Sequence, residues 1–186
     1  MLNRFKGCML GGAAGDALGF PVELMNRNKI VEIFGKLGIT DFYIKSGDKK
    51  AKISDDTQMT LFTAEGLLWG TQSGAVHASY IFYSYQRWLF TQTGKLADEK
   101  YGWILQKDSD AYHSRLMKQR AMYEKRGPGQ TCLSALESAC GGRYGQINNK
   151  INDSKGCGGA MRAAPIGLYF WNDTEKAFRM GCESTA

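Results

Sequence analysis

The densest group of hard oxygen donors in the sequence is Ile53-Ser54-Asp55-Asp56-Thr57-Gln58-Met59, two adjacent carboxylates between two hydroxyl residues. Magnesium, manganese and calcium are bound by carboxylate, hydroxyl, carbonyl and water oxygens, so this cluster could hold such an ion. It could equally be a helix cap, because acids in a first helical turn are favoured by the helix dipole and Asp55 with Gln58 loosely matches a capping-box spacing. An apolar-periodic run follows at once (Met59, Leu61, Phe62, Ala64, Leu67, Leu68), so either role sits at the start of a helix. Adjacent residues deep in a helix point about 100° apart. At the first turn, two aspartates can still converge on one ion or serve two neighbouring ones.

Other chemistries find little support. The two histidines, His77 and His113, have no cysteine or carboxylate at ligand spacing, which argues against a nitrogen–sulfur zinc site. Neither G-x-G-x-x-G nor G-x-x-x-x-G-K-[ST] occurs, so no standard dinucleotide or phosphate loop is expected. The five cysteines (Cys8, Cys132, Cys140, Cys157, Cys182) contain no C-x-x-C pair and are odd in number, which predicts reduced, buried thiols in a cytoplasmic protein.

The elements that would position the acidic cluster are all helical. Asn3 to Leu18 reads as a helix unusually rich in small residues (Gly11, Gly12, Ala13, Ala14, Gly15, Ala17, then Gly19), and glycine inside a helix costs up to about 1 kcal/mol against alanine. Tight helix–helix packing is one explanation. Asp16 among these residues, and Glu23 after Pro21, suggest a segment built to lie near something else. Arg27 to Gly38 predicts a short amphipathic helix closed by glycines, and the acidic cluster opens a helix running to about Gly70. Ala75 to Phe90 is long enough for a helix, though its aromatic content leaves some strand character. Further helices are expected around Ala111 to Glu124, from Thr131 (a plausible N-cap) to Cys140, and from near Asp173. A loop is expected from Gly141 to Lys155, followed by the glycine-rich stretch Gly156 to Gly167. No strand run or fixed repeat emerges, so the fold class is all-α, one domain over residues 1–186.

Bulk properties narrow the partners. At 186 residues the chain can bury a sizeable core, and three prolines with 43% hydrophobic residues predict a folded protein. A formal charge of +6 suits an anionic partner. The basic residues are interleaved with acids and never run to five, so nucleic acid is not the expected partner. No run of 18 apolar residues and no signal peptide is present, so no membrane association is expected.

Three stretches in series carry a family resemblance. Gly7-Cys8-Met9-Leu10-Gly11-Gly12-Ala13-Ala14-Gly15-Asp16-Ala17-Leu18-Gly19 with Glu23 resembles the first motif of the ADP-ribosylglycohydrolase family (dinitrogenase reductase-activating glycohydrolases and ADP-ribosyl-acceptor hydrolases). Ser54-Asp55-Asp56-Thr57 resembles its metal-binding motif. Gly156 to Gly167, with Met161, Arg162 and Pro165, is similar to its glycine-rich substrate loop. The resemblance implies an all-α hydrolase with two magnesium or manganese ions, releasing ADP-ribose from an ADP-ribosylated protein side chain or small molecule. By motif match, Ser54, Asp55 and Asp56 would be metal ligands, with Glu23 and Asp56 as the catalytic carboxylates. On the substrate side, Asp16 would support the site from the first helix, and Gly156, Gly158, Gly159 and Met161 would bind the pyrophosphate with backbone N–H groups. Arg162 could pair with a phosphate, or structurally with a buried acid.

The chain departs from the family in one respect. The family's second acidic motif, of D-x-D-[ST] type, supplies the remaining metal ligands, and here the one D-x-D is Asp108-Ser109-Asp110, in a polar region that reads as solvated surface. The expectation is an N-terminal portion of the domain, with second-site ligands absent, little or no hydrolase activity alone, and a complementary C-terminal fragment as a partner. The alternative is a non-catalytic ADP-ribose-binding or helical interaction protein of the same fold.

Overall fold

The computed structural model describes residues 1–74, 78–105, 114–139 and 146–186, and these are helices joined by turns and loops, with no strand among them. In chain order the helices are α1 (Leu2–Gly19), α2 (Arg27–Phe34), α3 (Asp55–Gln72), α4 (Ala78–Thr93), α5 (Arg120–Tyr123), α6 (Gln130–Glu137), α7 (Ala164–Tyr169) and α8 (Thr174–Thr185). Short 3-10 turns at Phe20–Val22, Glu99–Leu105, Leu116–Lys118 and Ala160–Arg162 link them. The all-α expectation holds, and the aromatic stretch beginning near Ala78 is a helix. His77, Asp108, Asp110, His113 and Cys140 lie outside the described residues.

The centre of the core is the α3–α4 pair. Met59, Phe62 and Leu67 of α3 and Ile81, Trp88 and Leu89 of α4 are all but sealed from solvent. Each such side chain contributes about 1.5–3 kcal/mol relative to exposure. The two helices cross where Gly66 presents no side chain: a Cβ there would lie 2.5 Å from the Ile81 Cα and 2.8 Å from the Tyr80 carbonyl oxygen. A buried ion pair braces the same interface. Arg87 Nη1 meets Glu65 Oε2 at 3.0 Å, Arg87 Nε donates to the Ile104 carbonyl, and the guanidinium lies 4.2 Å over the Trp69 ring.

Several sequence expectations are revised. The segment ending at Glu124 is not one long helix but a 3-10 turn followed by the single turn of α5. Side chains serve its backbone instead: Ser114 Oγ takes the Met117 N–H at the 3-10 turn, and the buried Gln58 amide donates to the Ala121 and Glu124 oxygens at 2.7 and 3.1 Å, capping the short α5. Thr131 is inside α6 and not at its cap, because Gly129 holds the N-cap position. Cys132 is buried as expected, but Cys8 and Cys157 are exposed. The glycines of α1 pack against nothing: Gly7, Gly11, Gly12, Gly15 and Gly19 would each accept a Cβ with no described atom within 4 Å. Of the 18 residues of α1 only Ala17 is buried.

Candidate active site

The first turn of α3 gathers the predicted acids. Ser54 is the N-cap, its hydroxyl accepting from the Asp56 N–H at 3.1 Å, and Asp55 and Asp56 occupy the first helical positions. So the cap and the donor cluster are the same residues, and the two readings of the motif do not compete. Asp16 reaches across from α1: its carboxylate accepts from the Ser54 N–H (2.9 and 3.0 Å), the Thr57 N–H (3.2 Å) and the Thr57 hydroxyl. A negative charge on these otherwise orphaned donors is favoured both by hydrogen bonding and by the dipole of α3.

Asp55 is held by a turn that nothing in the sequence places beside it. Its N–H donates to the Arg126 carbonyl at 3.0 Å, and its Oδ2 accepts from the Gly129 N–H at 3.1 Å. Arg126 in turn donates to the Ile53 carbonyl and pairs with Glu124. Gly127 closes the turn at φ +72°, a conformation that costs glycine nothing. The dipeptides Gly127-Pro128 and Pro128-Gly129 mark a turn, but only the fold shows that it faces Asp55. Gln58, read from sequence as a loose capping-box partner, instead fastens this same segment from below while its Oε1 accepts from Trp88 Nε1.

Two clefts meet over these acids. One, of about 830 Å³, runs between α1 and α3 past Asp16, Glu23, Ser54, Asp56 and Met161. The other, of about 430 Å³, is lined by Glu23, Asp55, Asp56, Gly129, the 156–159 loop and Arg162. Glu23, Asp56 and Met161 border both. Asp16, Glu23, Ser54, Asp55, Asp56, Gly156, Gly158, Gly159 and Met161 therefore all line one or both of these clefts.

Electrostatics at the junction is that of crowded negative charge. Burial, first, and then the charges of Asp56 and Glu23 push the Asp55 carboxyl up to about 6, against the opposing Gly129 hydrogen bond. Burial raises Asp56 as well, followed by the charges of Asp16 and Glu23. No hydrogen bond among the described residues reaches the Asp56 carboxylate. An acid that titrates near 3.8 unfolded but near 6 folded favours the fold fully below about pH 3.8, and that advantage is lost as pH rises through about 6. In cation-free buffer at pH 7, Asp55→Asn is therefore expected to stabilise the chain by about 1–2 kcal/mol, the full shift being discounted for solvent access. Urea denaturation at stepped pH checks this, since the variant should lose the fall in stability between about pH 4 and 6 that wild type shows.

The glycine-rich loop closes the opposite wall. Thr60 Oγ1 of α3 donates to the Met161 carbonyl at 3.0 Å, which fastens loop to helix. The Gly156 N–H donates to Ser154 Oγ and the Met161 N–H to the Cys157 carbonyl, so both amides have partners within the loop. Gly158 and Gly159 are needed for close approach: a Cβ would lie 2.5 Å from Cys132 Sγ and 2.9 Å from the Thr185 side chain, respectively. Arg162 is buried beneath, its guanidinium 4.4 Å over the Tyr85 ring, with Met59 Sδ at 3.5 Å, Cys132 Sγ at 3.7 Å and the Ser184 carbonyl at 3.3 Å. No described acid pairs with it, so the buried-acid reading of Arg162 is not what the structure places there.

The ADP-ribosylglycohydrolase family matches the chain from residue 1 to residue 186. The chain belongs to this family. An uncharacterized protein from Archaeoglobus fulgidus is 27% identical over 172 residues, 91% of this chain but 44% of the relative, so the chain spans less than half the length of that curated protein. No solved structure matches it. The acidic donors of this chain fit a hard cation in kind, with the unpartnered Asp56 carboxylate and the free oxygen of Asp55 as the strongest candidates. They do not complete a coordination sphere: among the described residues no three acidic, histidine or cysteine side chains are grouped to hold a metal ion. Among those residues, no helix is long and apolar enough to cross a membrane.

Proposed function

We propose that this chain forms the acidic half of a metal-dependent ADP-ribosyl hydrolase site. One observation carries the reading: Asp16, Glu23, Asp55 and Asp56 line the two clefts that meet here, with Asp56 raised by burial and then by the charges of Asp16 and Glu23, and its carboxylate without a hydrogen bond among the described residues. Such a concentration of like charge destabilises the chain unless a cation offsets it. Ser54, Asp55 and Asp56 would hold magnesium or manganese. A bound ion of this kind would supply Lewis acidity toward ribose hydroxyls and lower the pKa of a water. Asp56 would orient that water from the α3 side, and Glu23, exposed at the mouth, would take its proton as it adds to the anomeric carbon. Gly158, Gly159 and the loop around them would receive the pyrophosphate of ADP-ribose, and Asp16 would keep α3 in place by capping it.

The rest of the site would come from a complementary C-terminal segment, on the same or another polypeptide. The open small-residue face of α1 supports this, because five glycines with no described atom within 4 Å of an added Cβ are a surface on which another backbone could lie closely. The incomplete donor set predicts weak cation binding and little or no hydrolysis by residues 1–186 alone. The substrate would be an ADP-ribosylated protein side chain or small molecule, in the cytoplasm.

Calorimetric titration with manganese and then ADP-ribose tests the reading. Saturable ADP-ribose binding that manganese strengthens, and that falls at least about tenfold in Asp55→Ala and Asp56→Ala, is the expected result. ADP-ribose binding indifferent to both substitutions would instead identify a non-catalytic ADP-ribose-binding protein. Binding of neither ligand, together with a stable hetero-complex, would identify a helical interaction protein.

A further inference from the structure

We propose that Cys157 and Cys132 form a redox modification site, a peroxide-driven disulfide joining the glycine-rich loop to α6. Both thiols line the same 430 Å³ cleft. Cys157 is exposed at the tip of the loop and Cys132 is buried on α6. The intervening contact is the tightest in the loop, with Cys132 Sγ 2.5 Å from where Gly158 would carry a Cβ. The residue next to Cys157 therefore already rests on the partner sulfur, and the two thiols lie within electrostatic reach of each other. Only glycine at position 158 allows this approach. Joining the sulfurs would take a rotation of the Cys157 side chain and a movement of the loop toward α6.

The different settings of the two thiols give the reaction an order. Cys157 meets solvent, whereas burial keeps the Cys132 thiol protonated against the pull of the Arg162 guanidinium 3.7 Å away. The Cys157 sulfur would attack one oxygen of a hydroperoxide and break its O–O bond, giving the Cys157 sulfenic acid, while the thiol's proton leaves with the other oxygen as water or an alcohol. Cys132 then attacks the sulfenic sulfur: the S–S bond forms, the S–O bond breaks, and the departing hydroxide takes the Cys132 proton and leaves as water. Two electrons pass from the thiol pair to the peroxide. Arg162 stabilises the Cys132 thiolate as it develops. The disulfide would draw the loop toward α6 and narrow the cleft on its Asp55–Asp56 side. None of this depends on ADP-ribose being the ligand.

The test uses the full chain and hydrogen peroxide. After brief exposure, thiol trapping and non-reducing peptide mapping should recover a Cys132–Cys157 linked peptide that thiol reductant reverses. In Cys157→Ser, an exposed and therefore tolerant position, Cys132 should stay reduced under the same exposure, with its consumption slowed at least about tenfold. Cys132 oxidised at the same rate in Cys157→Ser, linkage of either cysteine to Cys8, Cys140 or Cys182 as the main product, or oxidation of Cys157 beyond the sulfenic state without linkage would each overturn the proposal.

Discussion

Gly66→Ala is expected to destabilise the chain by about 2–4 kcal/mol, and Gly66→Leu to prevent folding. Ordinarily alanine would gain up to about 1 kcal/mol over glycine in a helix interior. Here the added methyl would sit 2.5 Å from the Ile81 Cα and 2.9 Å from the Ile81 nitrogen, and these are backbone atoms that no side-chain rotation can clear. Relieving the clash means separating α3 from α4, the pair that buries Phe62, Trp88 and Leu89. Because interiors are packed as tightly as crystals, the loss spreads over all those contacts. Gly12→Ala in α1 is the matched control. With no atom within 4 Å of its Cβ it should stabilise by about 0.5–1 kcal/mol. Urea denaturation of both variants measures the contrast, and two shifts of the same sign would mean that the α3–α4 crossing is not the close one described.

Asp16→Ala should have the second large effect, a loss of about 2–3 kcal/mol together with the collapse of any manganese or ADP-ribose binding. One carboxylate serves the Ser54 and Thr57 amides and the Thr57 hydroxyl, and α1 has only Ala17 buried to hold it otherwise. Removing it leaves the start of α3 without its acceptor and α1 without its main polar tie. Asp16→Asn retains one acceptor oxygen and relieves the repulsion felt by Asp56, so it should fall in between, at about 1 kcal/mol. Hydrogen exchange separates this from a general loss of stability. Amides of α1 and of the first turn of α3 should lose protection, while those of Trp88 and Leu89 in α4 should keep it. Uniform loss across all three helices would contradict the assignment of Asp16 as a local clasp.

How much of this was readable beforehand depends on the range of each signal. The start of α3 could be read because N-capping is local: Ser54 and the two aspartates act within one turn of their own helix. So could the cap at Asp173, whose side chain accepts from the Lys176 N–H. The way the segment before Glu124 is held could not, since Gln58, which caps its last carbonyls, lies more than sixty positions away. The same holds for the hold of Gly129 on Asp55. Glycine is the clearest case. In sequence, Gly12 reads as close packing within a helix and Gly66 does not stand out, yet Gly12 faces no described atom while Gly66 faces a backbone.

By itself, then, the sequence determined an all-α chain, the helix that starts at the acidic pair, and membership of three motifs in one family. These follow from periodicity, capping chemistry and residue order, all of which are local. Only the tertiary structure decided that Asp16 clasps α3, that Glu23, Asp56 and Met161 share the junction of two clefts, and that Arg162 stacks on Tyr85 with no acid paired to it among the described residues. The physical reason is that charge repulsion, desolvation and steric approach act through space between residues far apart in the chain, and no spacing along it encodes which of them meet.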